Sequence, residues 1–193
     1  MRACDNPFAA FRLEALRFRL DEDGWGGLLA RWRAQNGRGA LVGPHGSGKT
    51  QLQLELARRL EAEGFAVRRL QWGRDRGPSA TEQAEALRGL GPRDVLMIDG
   101  AEQLAPYAWW WLRGKARGAG GLVVTTHRPG RLPPLFVHRT SLALLLDLVG
   151  DLVGGARAAA LRSLCDALYT RHSGNLRECL RSLYDVHAQR GAG

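Results

Sequence analysis

Apolar positions along the chain form short runs that predict buried strands, separated by stretches with a helical repeat. The predicted strands cover residues 39–42, 65–72, 95–98, 121–126 and 135–142. Leu52, Leu56 and Leu60 recur at four-residue spacing, which predicts a helix between the first two strands. Alternating strands and helices favour an α/β fold with a parallel sheet and right-handed crossovers.

The pattern changes near residue 142. Residues 142–153, 157–169 and 175–189 have apolar positions at helical spacing and no strand pattern. We therefore predict an α/β domain over residues 1–141 and a small helical subdomain over residues 142–193. Within the first domain, residues 1–37 form an N-terminal lead-in that ends in a short helix, and Phe8, Phe11 and Phe18 are expected to pack on the sheet domain.

A glycine-rich turn follows the first predicted strand and matches the pattern G-x-x-x-x-G-K-[ST]. Its residues are Gly43, Pro44, His45, Gly46, Ser47, Gly48, Lys49 and Thr50. The glycines allow successive amide N–H groups to point inward and form an anion cradle at the start of a helix. Lys49 would contact the outer phosphates of a nucleotide, and the Thr50 hydroxyl would ligate Mg²⁺.

An acidic residue at the end of a buried strand is the second part expected of such a site. Asp99 directly follows the apolar run 95–98, at a separation from Thr50 that fits a helix, a strand and another helix. Thr50 and Asp99 are therefore the predicted metal ligands.

These two motifs resemble the Walker A and Walker B motifs of P-loop ATPases with an additional strand, and of AAA+ ATPases in particular. The resemblance covers residues 38–189 and implies ATP with Mg²⁺, a three-layer P-loop sandwich with a five-stranded parallel core sheet, and a C-terminal helical lid. It implies a phosphate sensor at Thr125 or Thr126. The segment 173–177, Ser-Gly-Asn-Leu-Arg, resembles the start of the lid helix that carries a second sensor, here Arg177.

The chain departs from the family at one position. Gly100 stands where the family has a catalytic Glu, and the nearest acid is Glu102. Either Glu102 reaches the attacking water, or the protein hydrolyses ATP slowly and acts as a switch. The candidate catalytic residues are Lys49, Glu102, Thr126 and Arg177.

Charge and partners follow from the composition. The 193 residues carry a formal net charge of +9, and only two of the 28 basic residues are Lys. A nucleic-acid partner is possible at this charge, and two surfaces are candidates for a partner: the three indoles at 109–111, and Trp72 with Arg68, Arg69, Arg74 and Arg76. Homo-oligomerisation is a further expectation, for which Arg128, Arg131 and Arg139 are candidate arginine fingers.

Three scattered cysteines provide neither a disulfide framework nor a metal motif. No signal peptide is recognisable, and the apolar stretch 142–153 contains Asp147 and Asp151, so we expect no membrane span and a cytoplasmic location.

The function expected is therefore ATP hydrolysis that drives or switches a partner interaction. The alternatives are an ATP-dependent DNA-binding helper of the transposition or replication-loading type, and a nucleotide or small-molecule kinase. A GTPase is disfavoured, because the chain has no N-K-x-D segment and Glu102 stands where a D-x-x-G motif needs Gly.

Overall fold

The computed structural model describes residues 6–9, 12, 18, 20, 22–73 and 76–190. The strands are β1 (Arg38–Val42), β2 (Ala66–Gln71), β3 (Asp94–Asp99), β4 (Gly121–Thr126) and β5 (Pro134–Val137). The helices are α1 (Glu22–Ala34), α2 (Lys49–Ala62), α3 (Ala80–Leu87), α4 (Pro106–Lys115), α5 (Leu142–Val153), α6 (Gly155–Ala160), α7 (Arg162–Arg171) and α8 (Leu176–Arg190). Short 3₁₀ turns cover Ala101–Gln103 and Ala116–Gly118.

The strands form one parallel sheet in the order β2-β3-β4-β1-β5. Successive residues of a strand point to opposite faces, and the apolar residues of β3 and β4 are buried on both. Helices α1 and α2 cover one face, where Leu52 and Leu56 pack with Val95 and Met97. Helices α3 and α4 cover the other, where Trp109 and Leu112 pack with Leu96 and Ile98. This is the α/β sandwich expected from the sequence.

The described residues fall into two compact units. One comprises Phe18–Gly43 and Gly48–His138 and holds the sheet with α1–α4. The other comprises Pro44–Ser47, Arg139–Gly193 and the described part of Met1–Arg17, and holds α5–α8. The division at residues 141 and 142 stays a prediction.

Four helices build the core of the second unit, with Leu145, Val149, Cys165 and Leu183 buried together. Phe8 of the lead-in is buried in this helical core, so the expectation that it packs on the sheet domain is wrong. The reason lies in Asn6, whose side chain donates to the Tyr184 carbonyl and accepts from the Phe8 amide. Phe18 does pack in the sheet unit, beside Phe136, and Phe11 lies outside the described residues.

Two predicted elements are wrong in their bounds. Strand β5 ends at Val137 instead of residue 142, and Leu142 instead begins α5, where Ser141 is the N-cap and accepts a hydrogen bond from the Leu144 amide. The helix predicted over residues 157–169 is two helices, since the backbone at Leu161 leaves helical geometry with φ −91° and ψ 0°. Within the described residues, every helix is too short or too polar to cross a bilayer.

Candidate functional site

The candidate residues of the sheet unit lie at the carboxyl ends of β1, β4 and β3, which are neighbours in the sheet. Gly43 directly follows β1, Asp99 ends β3, and Thr125 and Thr126 end β4. Gly43 donates its amide to the Thr126 carbonyl at 3.0 Å. Parallel strands expose their carboxyl ends at a single edge, and this edge is where open α/β sheets bind ligands.

The glycine-rich turn contains two left-handed backbone positions. Gly46 and Gly48 have φ of 68° and 87°, in the left-handed region that favours glycine. The turn leads into α2, whose first turn contains no acidic residue. Amides at a helix N-terminus attract anions, so this arrangement favours phosphate.

Lys49 is the first residue of α2 and is buried, with its ammonium group donating to the Gly43 carbonyl at 2.7 Å. A buried ammonium group beside a phosphate cradle exerts a strong electrostatic attraction, because little water screens it.

The two predicted metal ligands meet. The Thr50 hydroxyl donates to Asp99 Oδ2 at 3.0 Å. Hydroxyl and carboxylate oxygens are hard ligands of the kind that Mg²⁺ takes, and Mg²⁺ in nucleotide sites is held by one or two such side chains with phosphate oxygens. The pair therefore fits a magnesium ion. No larger group of His, Cys, Asp and Glu suited to a metal occurs in the part of the chain that the structure describes.

Thr125 and Thr126 differ in their hydrogen bonding, although both are buried. Thr125 Oγ1 donates to Asp99 Oδ1 at 2.6 Å and accepts from the Gly100 amide at 2.8 Å. Thr126 Oγ1 is buried without a hydrogen-bond partner. A buried hydroxyl without a partner is costly, so Thr126 is the threonine with a hydrogen bond left for a ligand, while Thr125 orients the Asp99 carboxylate.

Gly100 has a structural reason to be glycine. Its φ is 79°, and a Cβ built on it would lie 2.1 Å from the Trp72 carbonyl oxygen. A glutamate at position 100 would therefore be strained and would overlap the end of β2. Position 100 is therefore closed to a carboxylate side chain in this fold.

Glu102 supplies a carboxylate from the next turn. One of its oxygens, Oε1, lies 3.1 Å from His127 Nε2, and the other, Oε2, is buried without a hydrogen-bond partner. Glu102, Thr126 and His127 line a cavity of about 480 Å³, together with Trp109, Arg128 and Arg131. Glu102 and Thr126, the two residues that carry these unpartnered oxygens, thus line the same cavity.

The candidate arginine fingers differ in their surroundings. Arg131 donates to the Leu104 carbonyl at 2.6 Å and lies over the Trp109 ring, so it holds the cavity wall together. Arg128 and Arg139 have exposed side chains.

Arg177, Pro44, His45, Gly46 and Ser47 belong to the helical unit. Arg177 is exposed near the start of α8. A Cβ built on Gly46 would lie 1.9 Å from Asn175 Oδ1 and 3.0 Å from the Arg177 amide nitrogen. Only glycine therefore fits this position of the turn, and its backbone lies against the segment that begins α8.

Two solved structures share this architecture. Two mutant forms of RuvB from Thermotoga maritima superpose with a TM-score of 0.53 each, at 20% and 22% sequence identity. The fold is RuvB-like. The superposition covers 85% and 86% of this chain, and the chain spans 61% and 62% of the respective RuvB chains. At this level of sequence identity the likeness to RuvB is one of fold. No protein-family model matches the sequence, and no curated protein matches it.

One buried residue at this end of the sheet could have been singled out from the sequence and was not. Gln53 on α2 is fully buried and donates through Nε2 to the Ile98 carbonyl at 3.3 Å, while its Oε1 has no hydrogen-bond partner. It ties α2 to the strand residue that precedes Asp99. The available signal was a polar residue directly after Leu52, four positions beyond Lys49 on the same side of the helix.

Proposed function

We propose that the chain binds ATP with Mg²⁺ and hydrolyses it to ADP and phosphate. The observation that carries the proposal is the 3.0 Å contact between Thr50 and Asp99, at the start of a helix whose first residue is the buried Lys49. Lys49 and Thr50 are thus consecutive in the chain, and Asp99 meets Thr50 from the carboxyl end of β3, so a cation and metal-binding oxygens lie side by side as a nucleoside triphosphate site requires.

Binding rests on Gly43–Thr50 as the phosphate cradle, with Pro44, His45 and Ser47 completing the turn. Lys49 would exchange its contact with the Gly43 carbonyl for the outer phosphates. Thr50 and Asp99 would hold Mg²⁺, which when bound neutralises charge on the phosphates. Thr125 keeps the Asp99 carboxylate in place through its 2.6 Å hydrogen bond.

Hydrolysis is assigned to Glu102 and Thr126. Glu102 would accept a proton from the attacking water through Oε2, which has no partner within the protein. His127 fixes the carboxylate by its contact with Oε1. Thr126 would donate its hydroxyl to the γ-phosphate or the water, and Arg177 would report the nucleotide to the helical unit. A switch that acts on a protein or nucleic-acid partner, homo-oligomerisation and a cytoplasmic location are parts of the same proposal.

Binding and hydrolysis are tested separately. Lys49→Ala should raise the Kd of fluorescent ATP at least ~30-fold, since losing a buried charged contact costs about 2 kcal/mol or more. Arg58→Ala is the matched control: it removes an exposed cation from the same helix, where its pairing with Glu55 is worth little. Equally tight ATP binding by Lys49→Ala would overturn the assigned phosphate site.

Glu102→Gln should bind ATP like the parent and release phosphate at least ~100-fold more slowly, the range of general-base effects. His127→Ala should lower kcat less than Glu102→Gln does and leave the ATP Kd unchanged, because it removes only the support of the carboxylate. Parent-like phosphate release by Glu102→Gln would exclude Glu102 as the base and leave the binding proposal intact.

A further inference from the structure

Helix α4 presents three aromatic rings to solvent. Tyr107, Trp110 and Trp111 are 80%, 74% and 51% exposed. Residues three and four apart are neighbours on a helix surface, so these rings form one continuous face. Trp109 and Leu112 lie on the other side of α4 and are buried in the core. The sequence WWW is thus divided between one buried ring and two exposed ones.

Cations border this aromatic face, which we define as Tyr107, Trp110 and Trp111. The Lys115 ammonium lies 5.7 Å from the centre of the Trp111 ring, and the side chains of Arg113 and Arg117 are exposed. Nearby, burial and the charge of Arg113 lower the pKa of Arg38. Like charges are therefore concentrated at this end of α4.

The surrounding sequence contains no compensating charge. From Gln103 to Leu146 the chain has no Asp or Glu, and six cationic side chains lie in that stretch. Three of them, Arg113, Lys115 and Arg117, lie in the last turn of α4 or directly after it. A partner suited to this surface combines negative charge with flat apolar groups.

We propose that the aromatic face of α4 and its bordering cations bind single-stranded DNA. Bases of an unpaired strand would stack on Trp110, Trp111 and Tyr107, while Lys115, Arg113 and Arg117 contact phosphates. Surfaces that bind single strands combine stacking rings with a positive track in this way, and stacking requires no base sequence.

Single-stranded DNA fits better than the other polyanions. In a duplex the base faces are covered by their neighbours, so three exposed rings would find only base edges and backbone. An acidic peptide supplies charge without a regular series of flat rings. Trp110 and Trp111 contact bases through their ring faces and require no 2′-OH, so a deoxyribose strand is sufficient for this surface.

The second candidate surface, Trp72 with its neighbouring arginines, is less suited to single-stranded DNA. Arg68 is engaged with Asp94 at 2.8 Å and 3.0 Å, and Arg74 lies outside the described residues.

Fluorescence anisotropy of a labelled oligo(dT) at low salt tests the proposal on the full chain. The double variant Trp110→Ala/Trp111→Ala should raise the Kd at least ~tenfold, because each lost stacking contact costs severalfold or more in affinity. Trp110→Phe/Trp111→Phe should bind within about threefold of the parent, since the rings are retained. Circular dichroism confirms the fold of each variant, and exposed substitutions of this kind leave it intact.

The contribution of charge to DNA affinity is measured in a salt series. Lys115→Gln should reduce the slope of log K against log salt by about 0.7, the value for one phosphate contact on a single strand. Arg58→Ala, on the helix that covers the opposite face of the sheet, should leave the slope unchanged. No binding of oligo(dT) by the parent, an unchanged Kd in the Trp-to-Ala variant, tighter binding of duplex than of single strand, or tighter binding of oligo(U) than of oligo(dT) would each overturn the proposal.

Discussion

Gly100 decides from which position the catalytic carboxylate of the proposed site can come. Its backbone is left-handed, and a Cβ at this position would lie 2.1 Å from the Trp72 carbonyl oxygen, so position 100 is closed to any larger residue. The same backbone starts the 3₁₀ turn Ala101–Gln103, which places Glu102 next to His127. The departure from the family pattern therefore shifts the carboxylate along the chain without removing it from the edge of the sheet.

The steric overlap at Gly100 can be measured as a loss of stability. Gly100→Ala should destabilise the protein by more than about 2 kcal/mol, since an L-residue at positive φ costs about 1–2 kcal/mol and the overlap with Trp72 adds to it. Gly89→Ala is the control, because Gly89 has φ of 59° and open space around it. Gly89→Ala should lower the free energy of unfolding by about 1–2 kcal/mol. Equal urea midpoints for the two variants would contradict the overlap.

At this scale the sequence predicted that Thr50 and Asp99 would lie together, and their roles toward a nucleotide stay a prediction. Lys49, Thr50 and Asp99 follow from residue type and spacing, and the structure brings Thr50 and Asp99 into contact. The choice between Thr125 and Thr126 was beyond the sequence. It depends on the register of β3 and β4, which pairs Ile98 with Val124 and so sets Thr125 beside Asp99.

Helices α7 and α8 each carry one cysteine, and both cysteines are buried in the core of the helical unit. Cys165 and Cys179 are fully buried and free, and Cys179 Sγ donates to the Leu168 carbonyl at 3.5 Å. Burial raises the pKa of both thiols, and the neighbouring Cys165 adds to the effect on Cys179. A raised pKa lowers the thiolate fraction at any pH below it, so these cysteines are poor nucleophiles in the folded protein.

Thiol labelling therefore reports the unfolding of the helical unit. In a Cys4→Ser background, which removes the third thiol of the chain, Ellman's reagent at pH 8 should react at least ~100-fold more slowly with the native protein than with protein in concentrated urea. The urea dependence of labelling should follow the loss of helical circular dichroism. Fast reaction of both thiols under native conditions would contradict the packing of α7 against α8.

Elements with a strong local pattern were predictable, and those defined by tertiary contacts were not. The runs in β3 and β4 are continuous and apolar, and α2 has leucines on one side, so each was found at its place. No Gly or Pro marks the break at Leu161, and the helical repeat of apolar residues continues through it. The end of β5 likewise depends on the Ser141 cap, a weak signal beside an apolar stretch.

The whole molecule has an α/β sandwich of the RuvB type, and the chain spans about three fifths of each RuvB chain it resembles. In some P-loop NTPases an arginine supplied by a second protein chain stabilises the transferred phosphoryl group. Arg128 is the candidate that is both exposed and part of the cavity with Glu102 and Thr126, whereas Arg131 is held by Leu104 and Trp109.

We therefore expect ATP to promote self-association, and Arg128 to act within the assembly. Light scattering of Glu102→Gln should show a larger species with ATP and Mg²⁺ than without nucleotide. Arg128→Ala should bind ATP like the parent and lose ~1,000-fold in hydrolysis rate, the lower range for an arginine finger. Arg139→Ala serves as the exposed-arginine control. A constant mass with and without ATP, or parent-like hydrolysis by Arg128→Ala, would exclude this role.

The steric closure at Gly100 also limits how this position can change in evolution. A single-codon change from Gly to Glu at position 100 would bring the new side chain against the Trp72 carbonyl and would strain the left-handed backbone. Such a variant would lose stability before it gained any catalytic benefit. A carboxylate directly after Asp99 would require the segment after β2 and the turn at Gly100 to change together. Lineages that carry Gly at this position should therefore keep an acid two residues later, and the two positions should vary as a pair.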